Sequence, residues 1–105
     1  MSDSEQFLTV TPLGGLGEIG LNCQLWETSA GVVMVDCGLM FPDDFHLGVD
    51  VVIPHFGAVS AVRDKLLGIV LTHGHEDHIG SIPYAMRDVN CPIHSTSMTC
   101  GLIKL

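Results

Sequence analysis

The stretch that decides the fold is Gly68–Ser81, which reads GIVLTHGHEDHIGS. Its apolar residues Ile69–Leu71 predict a buried strand that ends at Thr72. A helical pattern of apolar residues begins at His78 and continues to residue 89. Between the two lies the pattern H-x-H-x-D-H. The sequence therefore predicts a strand–turn–helix junction that carries three imidazoles and a carboxylate within six residues.

This junction predicts a metal site. His73 and His75 are two residues apart, so in an extended turn they point the same way, and Asp77 and His78 fall at the start of the helix, facing the same crevice. Imidazole nitrogens and carboxylate oxygens suit Zn²⁺ or a similar metal, and without a metal they would leave costly polar groups beside a core. The remaining histidines stand alone in the sequence and are expected to be surface or hydrogen-bonded residues: His46, His55 and His94.

The four predicted ligands do not complete a catalytic site. A catalytic zinc usually has three protein ligands and a water. A two-metal site would divide the four into His73 with His75 and Asp77 with His78, which leaves each metal short of ligands. We therefore expect the missing ligands to lie beyond Leu105.

Outside the junction, hydrophobic periodicity predicts alternating strands and helices and hence an α/β fold. Residues 1–6 are predicted to be a polar N-terminal tail, and residues 7–105 to form part of one domain. Strands are expected at 7–12, 21–26, 32–36, 69–71 and 91–94, and helices at 56–67, 78–89 and 95–105. Within the helix over 78–89, Pro83 is tolerated only near the first turn.

Composition leaves two interpretations open. The chain of 105 residues is 47% hydrophobic and only 15% charged, against about 25% charged in a typical soluble domain. This excludes an intrinsically disordered chain. It fits either a complete small domain with an unusually apolar surface or a fragment whose apolar faces are covered by further chain. The incomplete metal motif and the apolar helix that reaches Leu105 favour a fragment.

Charge and cysteine usage exclude several functions. With 12 acidic and 4 basic residues and a net charge of −8, this segment cannot supply much of a nucleic-acid groove. No secretory signal is present at residues 1–6, and no apolar run approaches the roughly 20 residues of a membrane span, so a cytoplasmic protein is expected. The four cysteines have no C-x-x-C spacing and are expected to be small buried hydrophobes.

A glycine-rich run, Gly15–Gly20, matches the dinucleotide-binding pattern G-x-G-x-x-G. That pattern binds a pyrophosphate only where it opens a helix, and the next segment, LNCQLW, alternates with a period of two. We therefore predict a tight turn between two strands and not a nucleotide site. A further interpretation is that Glu18 or the loop backbone lines a neighbouring active site.

H-x-H-x-D-H after a buried strand resembles the metallo-β-lactamase superfamily. Three further segments resemble the N-terminal part of the ribonuclease J group within it, so that the likeness extends over residues 8–105: Leu13–Gly20 (LGGLGEIG), Val35–Asp44 (VDCGLMFPDD) and Leu47–Pro54 (LGVDVVIP). The resemblance implies the N-terminal part of an αββα fold, an incomplete sandwich with a β-CASP domain inserted later in the chain.

The resemblance also implies a function and roles for particular residues. It implies a two-zinc enzyme, with Mn²⁺ as the other candidate metal, that cleaves RNA as a 5′-to-3′ exonuclease and an endonuclease. His73 and His75 would bind one ion, and Asp77 and His78 the other. A metal-activated water would attack the phosphodiester, and Asp77 beside it could orient or deprotonate that water.

Other implied features concern ions and partners. The resemblance implies a structural Ca²⁺ at the Gly48 carbonyl and Asp50, although Asp50 could also be an ordinary turn residue. It implies RNA as the partner, bound mainly by regions outside these residues, and a homo-oligomer when full length. The fragment alone is expected to be inactive. The alternatives are another hydrolase of this fold, acting on a thioester or lactam, and a non-catalytic metal-binding module.

Overall fold

The computed structural model describes residues 6–15, 20–39, 53–54, 56–72, 74–87 and 89–103, with the backbone alone at 76 and 77. The strands are β1 (Thr9–Gly14), β2 (Cys23–Thr28), β3 (Gly31–Cys37), β4 (Leu66–Val70) and β5 (Ile93–His94). The helices are α1 (Gly57–Val62), α2 (Glu76–Ile79), α3 (Ile82–Ala85) and α4 (Ser97–Ile103), with a 3-10 turn at Arg63–Lys65.

The five strands form one mixed sheet in the order β1-β2-β3-β4-β5. β1, β2 and β3 are antiparallel neighbours, whereas β3, β4 and β5 run parallel. Helix α1 lies in the crossover between β3 and β4, and α2 and α3 lie in the crossover between β4 and β5. This arrangement confirms the predicted α/β class. No helix in the described part of the chain has the length and apolar character needed to cross a membrane.

In the described part of the chain, the helices pack against one face of the sheet, which we call the inner face. Leu25, Met34 and Ile69 are paired across β2, β3 and β4 and are buried. They form one core cluster with Val59 of α1 and Ile82 of α3. Because these side chains lie at alternate positions of each strand, the next residues along each strand point to the opposite face.

That opposite face, here the outer face, is also apolar but is exposed among the described residues. Val10, Trp26 and Val33 are paired across β1, β2 and β3, and Val35 is paired with Val70 across β3 and β4. Val10 is 45% exposed, Trp26 41% and Val70 40%. The low charge of the sequence therefore has a structural counterpart in an uncovered apolar sheet face.

The prediction that the cysteines are small buried hydrophobes is confirmed for Cys23 and Cys37, whereas Cys91 and Cys100 are only partly buried. All four are free thiols, and Cys23 and Cys37, which are paired across β2 and β3, are buried. A hydrogen bond with Cys23, together with burial, raises the pKa of the Cys37 thiol. Burial also raises the pKa of Cys91. Because the thiolate is the reactive form, Cys37 acts as a small hydrophobic residue of the core and Cys91 as a partly buried one packed against it.

Two predicted helices are shorter than expected. The helix predicted over 56–67 ends at Val62, because Leu66 already pairs with Val32 as the first residue of β4. The helix predicted over 78–89 is divided at Ser81. The Ser81 amide donates to the Cys37 carbonyl (2.9 Å), and its hydroxyl donates to the Gly38 carbonyl (2.6 Å). These bonds to the end of β3 begin a new helix, α3.

Two smaller expectations concern the same part of the chain. Pro83 lies in the first turn of α3, where a proline is tolerated, because the helix predicted over 78–89 is divided before it. The predicted strand over 91–94 is reduced to Ile93–His94, which pairs with Ile69 and Val70 of β4.

Candidate metal centre

The centre is built on a buried carboxylate at the end of β3. Asp36 is only 6% exposed and has a left-handed backbone with φ of 62°. Its Oδ1 accepts the backbone N–H of Thr72 at 2.8 Å, and the Thr72 hydroxyl donates to the same carboxylate at 2.9–3.0 Å. Because β3 and β4 are parallel, their carboxyl ends meet at one edge of the sheet, which brings these two residues together.

The same carboxylate holds His78 on α2. The Nδ1 atom of His78 lies 2.8 Å from Asp36 Oδ2. Since an ionised carboxylate can only accept, Nδ1 carries the hydrogen, and in the neutral ring Nε2 keeps its lone pair. A metal-binding histidine usually donates its other ring N–H to a carboxylate in this way. The donor set around His78 therefore fits a metal ligand that coordinates through Nε2.

Asn22, just before β2, is the neighbour on the other side of this ring. Its side-chain nitrogen, Nδ2, is 3.4 Å from His78 Nε2. The imidazole is thus held at one nitrogen by Asp36 and approached at the other by Asn22.

His75 begins the turn that carries α2. Its carbonyl accepts the backbone N–H groups of His78 (2.9 Å) and Ile79 (3.0 Å), and its side chain is exposed. With residues of α4 and of the loop after β4, His75 lines a groove of about 370 Å³, whose other members are Thr72, Gly74, Thr96, Met98, Thr99 and Leu102. The groove leaves space beside the predicted ligand.

The structure describes only part of the predicted ligand set. His75 and His78 lie on one turn, and Asp77 lies between them in α2, with its backbone alone described. His73, Gly48 and Asp50 lie outside the described residues. In the part of the chain that the structure describes, no group of three His, Cys, Asp or Glu side chains forms a metal site. The four-ligand zinc set and the calcium site therefore stay predictions.

Sequence reasoning missed Asp36, Thr72 and Asn22. Asp36 was counted as the last residue of a strand, and its partners Thr72 and His78 lie 36 and 42 residues further along the chain. The signal in the sequence was an acidic residue, Asp36, at the end of β3. The metal motif follows β4, which is the parallel neighbour of β3 in the sheet. This signal can be recognised only when the order of the strands in the sheet is known.

The glycine-rich run behaves as predicted at both of its described ends. Gly15 and Gly20 have φ of 88° and 92°, and the run joins β1 to its antiparallel neighbour β2. No helix follows it, because β2 begins at Cys23. The prediction that the run joins two strands and does not open a helix is confirmed, and the turn itself falls on residues 16–19, outside the described residues. Glu18 lies outside the described residues.

Comparison with known proteins agrees with this architecture. Residues 16–100 match the family described as the metallo-beta-lactamase superfamily. The chain belongs to that superfamily.

Within it, the chain is similar to proteins named ribonuclease J. It is 43% identical over 101 residues to ribonuclease J of Helicobacter pylori, covering 96% of this chain and 15% of that protein. It is 44% identical over 97 residues to ribonuclease J 2 of Staphylococcus aureus, covering 92% of this chain and 17% of that protein. The resemblance to this group is confirmed, and the chain spans about a sixth of the length of these relatives.

Proposed function

We propose that the chain is the N-terminal part of a ribonuclease of the ribonuclease J type. Its resemblance to hydrolases of the metallo-beta-lactamase superfamily is supported by the family match and by 43–44% identity to proteins named ribonuclease J. More specifically, the proposed enzyme depends on zinc and acts on RNA both as a 5′-to-3′ exonuclease and as an endonuclease. The Asp36–His78 pair is the observation that carries it, since it prepares Nε2 for a metal.

In this proposal, four residues hold two metal ions. His73 and His75 hold one, and Asp77 and His78 hold the other. When bound, the ions, Zn²⁺ or Mn²⁺, would activate a water nucleophile and neutralise charge on the phosphodiester. Asp77 would orient that water or accept its proton.

Asp36 supports this chemistry without touching substrate. It keeps the hydrogen on Nδ1 of His78, which directs the Nε2 lone pair outward, and its bonds to Thr72 fix the turn after β4. A buried acceptor with several hydrogen-bond donors stays in one orientation, so His78 needs little reorganisation when it binds a metal.

Further proposals concern partners and ions. With a net charge of −8, these residues are poorly suited to holding a polyanion, so a basic RNA-binding surface would belong to the rest of a longer protein. A structural Ca²⁺ at Gly48 and Asp50, a homo-oligomer and a cytoplasmic location complete the proposal.

The test uses the full-length protein and a 5′-monophosphorylated RNA labelled at its 3′ end. We expect the wild type to release nucleotides from the 5′ end and His78→Ala to lose more than about 100-fold of that activity, because loss of a mere supporting partner already costs roughly 10- to 100-fold. Asn90→Ala, at an exposed asparagine before β5, is the matched control. Metal content is measured on all three proteins.

Three outcomes would contradict the proposal. Full RNA cleavage by His78→Ala would remove this residue from the mechanism. Hydrolysis of a thioester or lactam with no cleavage of RNA would favour another enzyme of the same fold, and metal binding with no hydrolysis of any of these substrates would favour a non-catalytic module.

A further inference from the structure

The imidazole of His78 has a polar neighbour at each of its nitrogens. Asp36 Oδ2 lies 2.8 Å from Nδ1, and Asn22 Nδ2 lies 3.4 Å from Nε2. The first contact is short and charge-assisted, whereas the second is long for a hydrogen bond. The two contacts therefore have different consequences for a metal that needs Nε2.

The backbone holds Asn22 firmly beside this ring. The Asn22 carbonyl accepts the Gly38 N–H at 2.8 Å, and the Leu21 N–H donates to the Leu39 carbonyl at 3.1 Å. Both bonds join the segment before β2 to the residues that follow β3. The Asn22 side chain is thereby placed next to the strand end that carries Asp36.

Backbone strain occurs at the same two places. Among the described residues other than glycine, only Leu21 and Asp36 have positive φ, at 58° and 62°. Aspartate tolerates this conformation, but a leucine there is a genuine outlier. Such strain persists where the surrounding structure enforces it, and it tends to accompany functional sites. One strained residue carries the Nδ1 partner of His78, and the other directly precedes the Nε2 partner.

The glycine-rich run leaves space for the Asn22 side chain. A Cβ atom at Gly15 would lie 2.8 Å from Asn22 Oδ1 and 3.2 Å from Asn22 Cα. Gly15 also has φ of 88°. A side chain at this position would displace the amide that approaches His78. Gly15, the first glycine of the run, therefore has a steric role beside the candidate metal centre.

We propose that Asn22 is a positioning residue that occupies the Nε2 lone pair of His78 and so lowers the affinity of the metal centre. Because Asp36 fixes the hydrogen on Nδ1, the Asn22 amide N–H donates to Nε2 in the neutral ring. A metal needs the same lone pair, so this hydrogen bond must break before Nε2 can coordinate. The inference rests on the metal site of the proposed function and adds a control on how tightly that site holds its ion.

The test compares variants at the two ends of the ring. Zinc affinity is measured by competition with a chromophoric chelator on the full-length protein. Asn22→Ala removes the competing donor and is expected to tighten binding by roughly two- to threefold, the lower end of the worth of a hydrogen bond, because the contact is long. Asp36→Asn loses the charged support and is expected to weaken binding roughly 10- to 100-fold. Asn90→Ala is the matched control and is expected to bind as the wild type does.

A second measurement does not depend on affinity. The ¹⁵N resonance of His78 Nε2 in the metal-free protein should move in Asn22→Ala towards that of an imidazole nitrogen with no hydrogen bond. If Asn22→Ala does not fold, Asn22→Leu keeps roughly the size of the side chain and removes the donor without adding a charge or a metal ligand, and it is expected to change both measurements in the same direction.

The two substitutions are expected to change zinc affinity in opposite directions, and this difference distinguishes the outcomes. A merely structural role for Asn22 would weaken zinc binding when the side chain is removed. Unchanged or weaker binding in a folded Asn22→Ala protein, or an unmoved Nε2 resonance, would overturn this inference and leave the proposed function standing. A wild-type protein that binds no zinc would overturn both.

Discussion

The two faces of the sheet are similar in composition and opposite in environment. On the inner face, Met34 and Ile69 are fully buried beneath the helices. On the outer face, Trp26 and Val70 are about two-fifths exposed. Because hydrophobic stabilisation is roughly proportional to the apolar area removed from water, the inner face contributes most of the folding free energy. An apolar pattern alone therefore does not locate the core.

The difference also explains where the metal centre lies. Asp36 points to the inner face at the end of β3, so its carboxylate is buried and must satisfy itself with the donors of Thr72 and His78. An exposed carboxylate could instead be hydrated and would not need to hold an imidazole. A polar group on the covered face is thus committed to a fixed hydrogen-bond network.

The largest effect in this comparison of the two sheet faces is expected at Met34. Met34→Ala removes a side chain with no exposed surface and leaves a cavity at the centre of the inner face. We expect the free energy of unfolding to fall by about 2–5 kcal/mol, measured by urea denaturation followed by circular dichroism. Met34→Leu conserves most of the volume and is the control, with an expected loss below about 1.5 kcal/mol. An equally small loss in both variants would show that this face is not the core.

Asp36 tests the polar part of the same face. Asp36→Ala leaves the Thr72 N–H and the His78 Nδ1–H without their acceptor and places alanine in a left-handed conformation. We expect a loss of about 1–3 kcal/mol in the unfolding free energy of the metal-free protein. Asp36→Asn keeps an acceptor oxygen and tolerates this backbone, so it should recover most of the loss. Equal losses in the two variants would argue that neither an acceptor oxygen nor tolerance of this backbone conformation stabilises this position.

These residues also mark how much the sequence could predict. The junction at Gly68–Ser81 predicted a strand, a turn and a helix start, because those signals are local. The division of the second helix at Ser81 could not be predicted, since it depends on bonds to Cys37 and Gly38, more than 40 residues away. The same holds for the candidate site. His75 and His78 were recognised from their spacing, whereas Asp36 and Asn22 become visible only when β2, β3 and β4 are placed side by side.

The smallest effect is expected on the outer face. Trp26→Gln replaces a side chain that is 41% exposed and bonds only locally, through Nε1 to Gln24. In the 105-residue chain we expect a change within about 0.5 kcal/mol, as for an ordinary surface substitution. The same substitution in a full-length protein should cost more if further chain covers this face, because tryptophan would then lose buried area. Urea denaturation of both forms separates the two cases. Equal small changes would mean that Trp26 remains exposed in the longer protein, and a large loss in the 105-residue chain would contradict the difference between the faces.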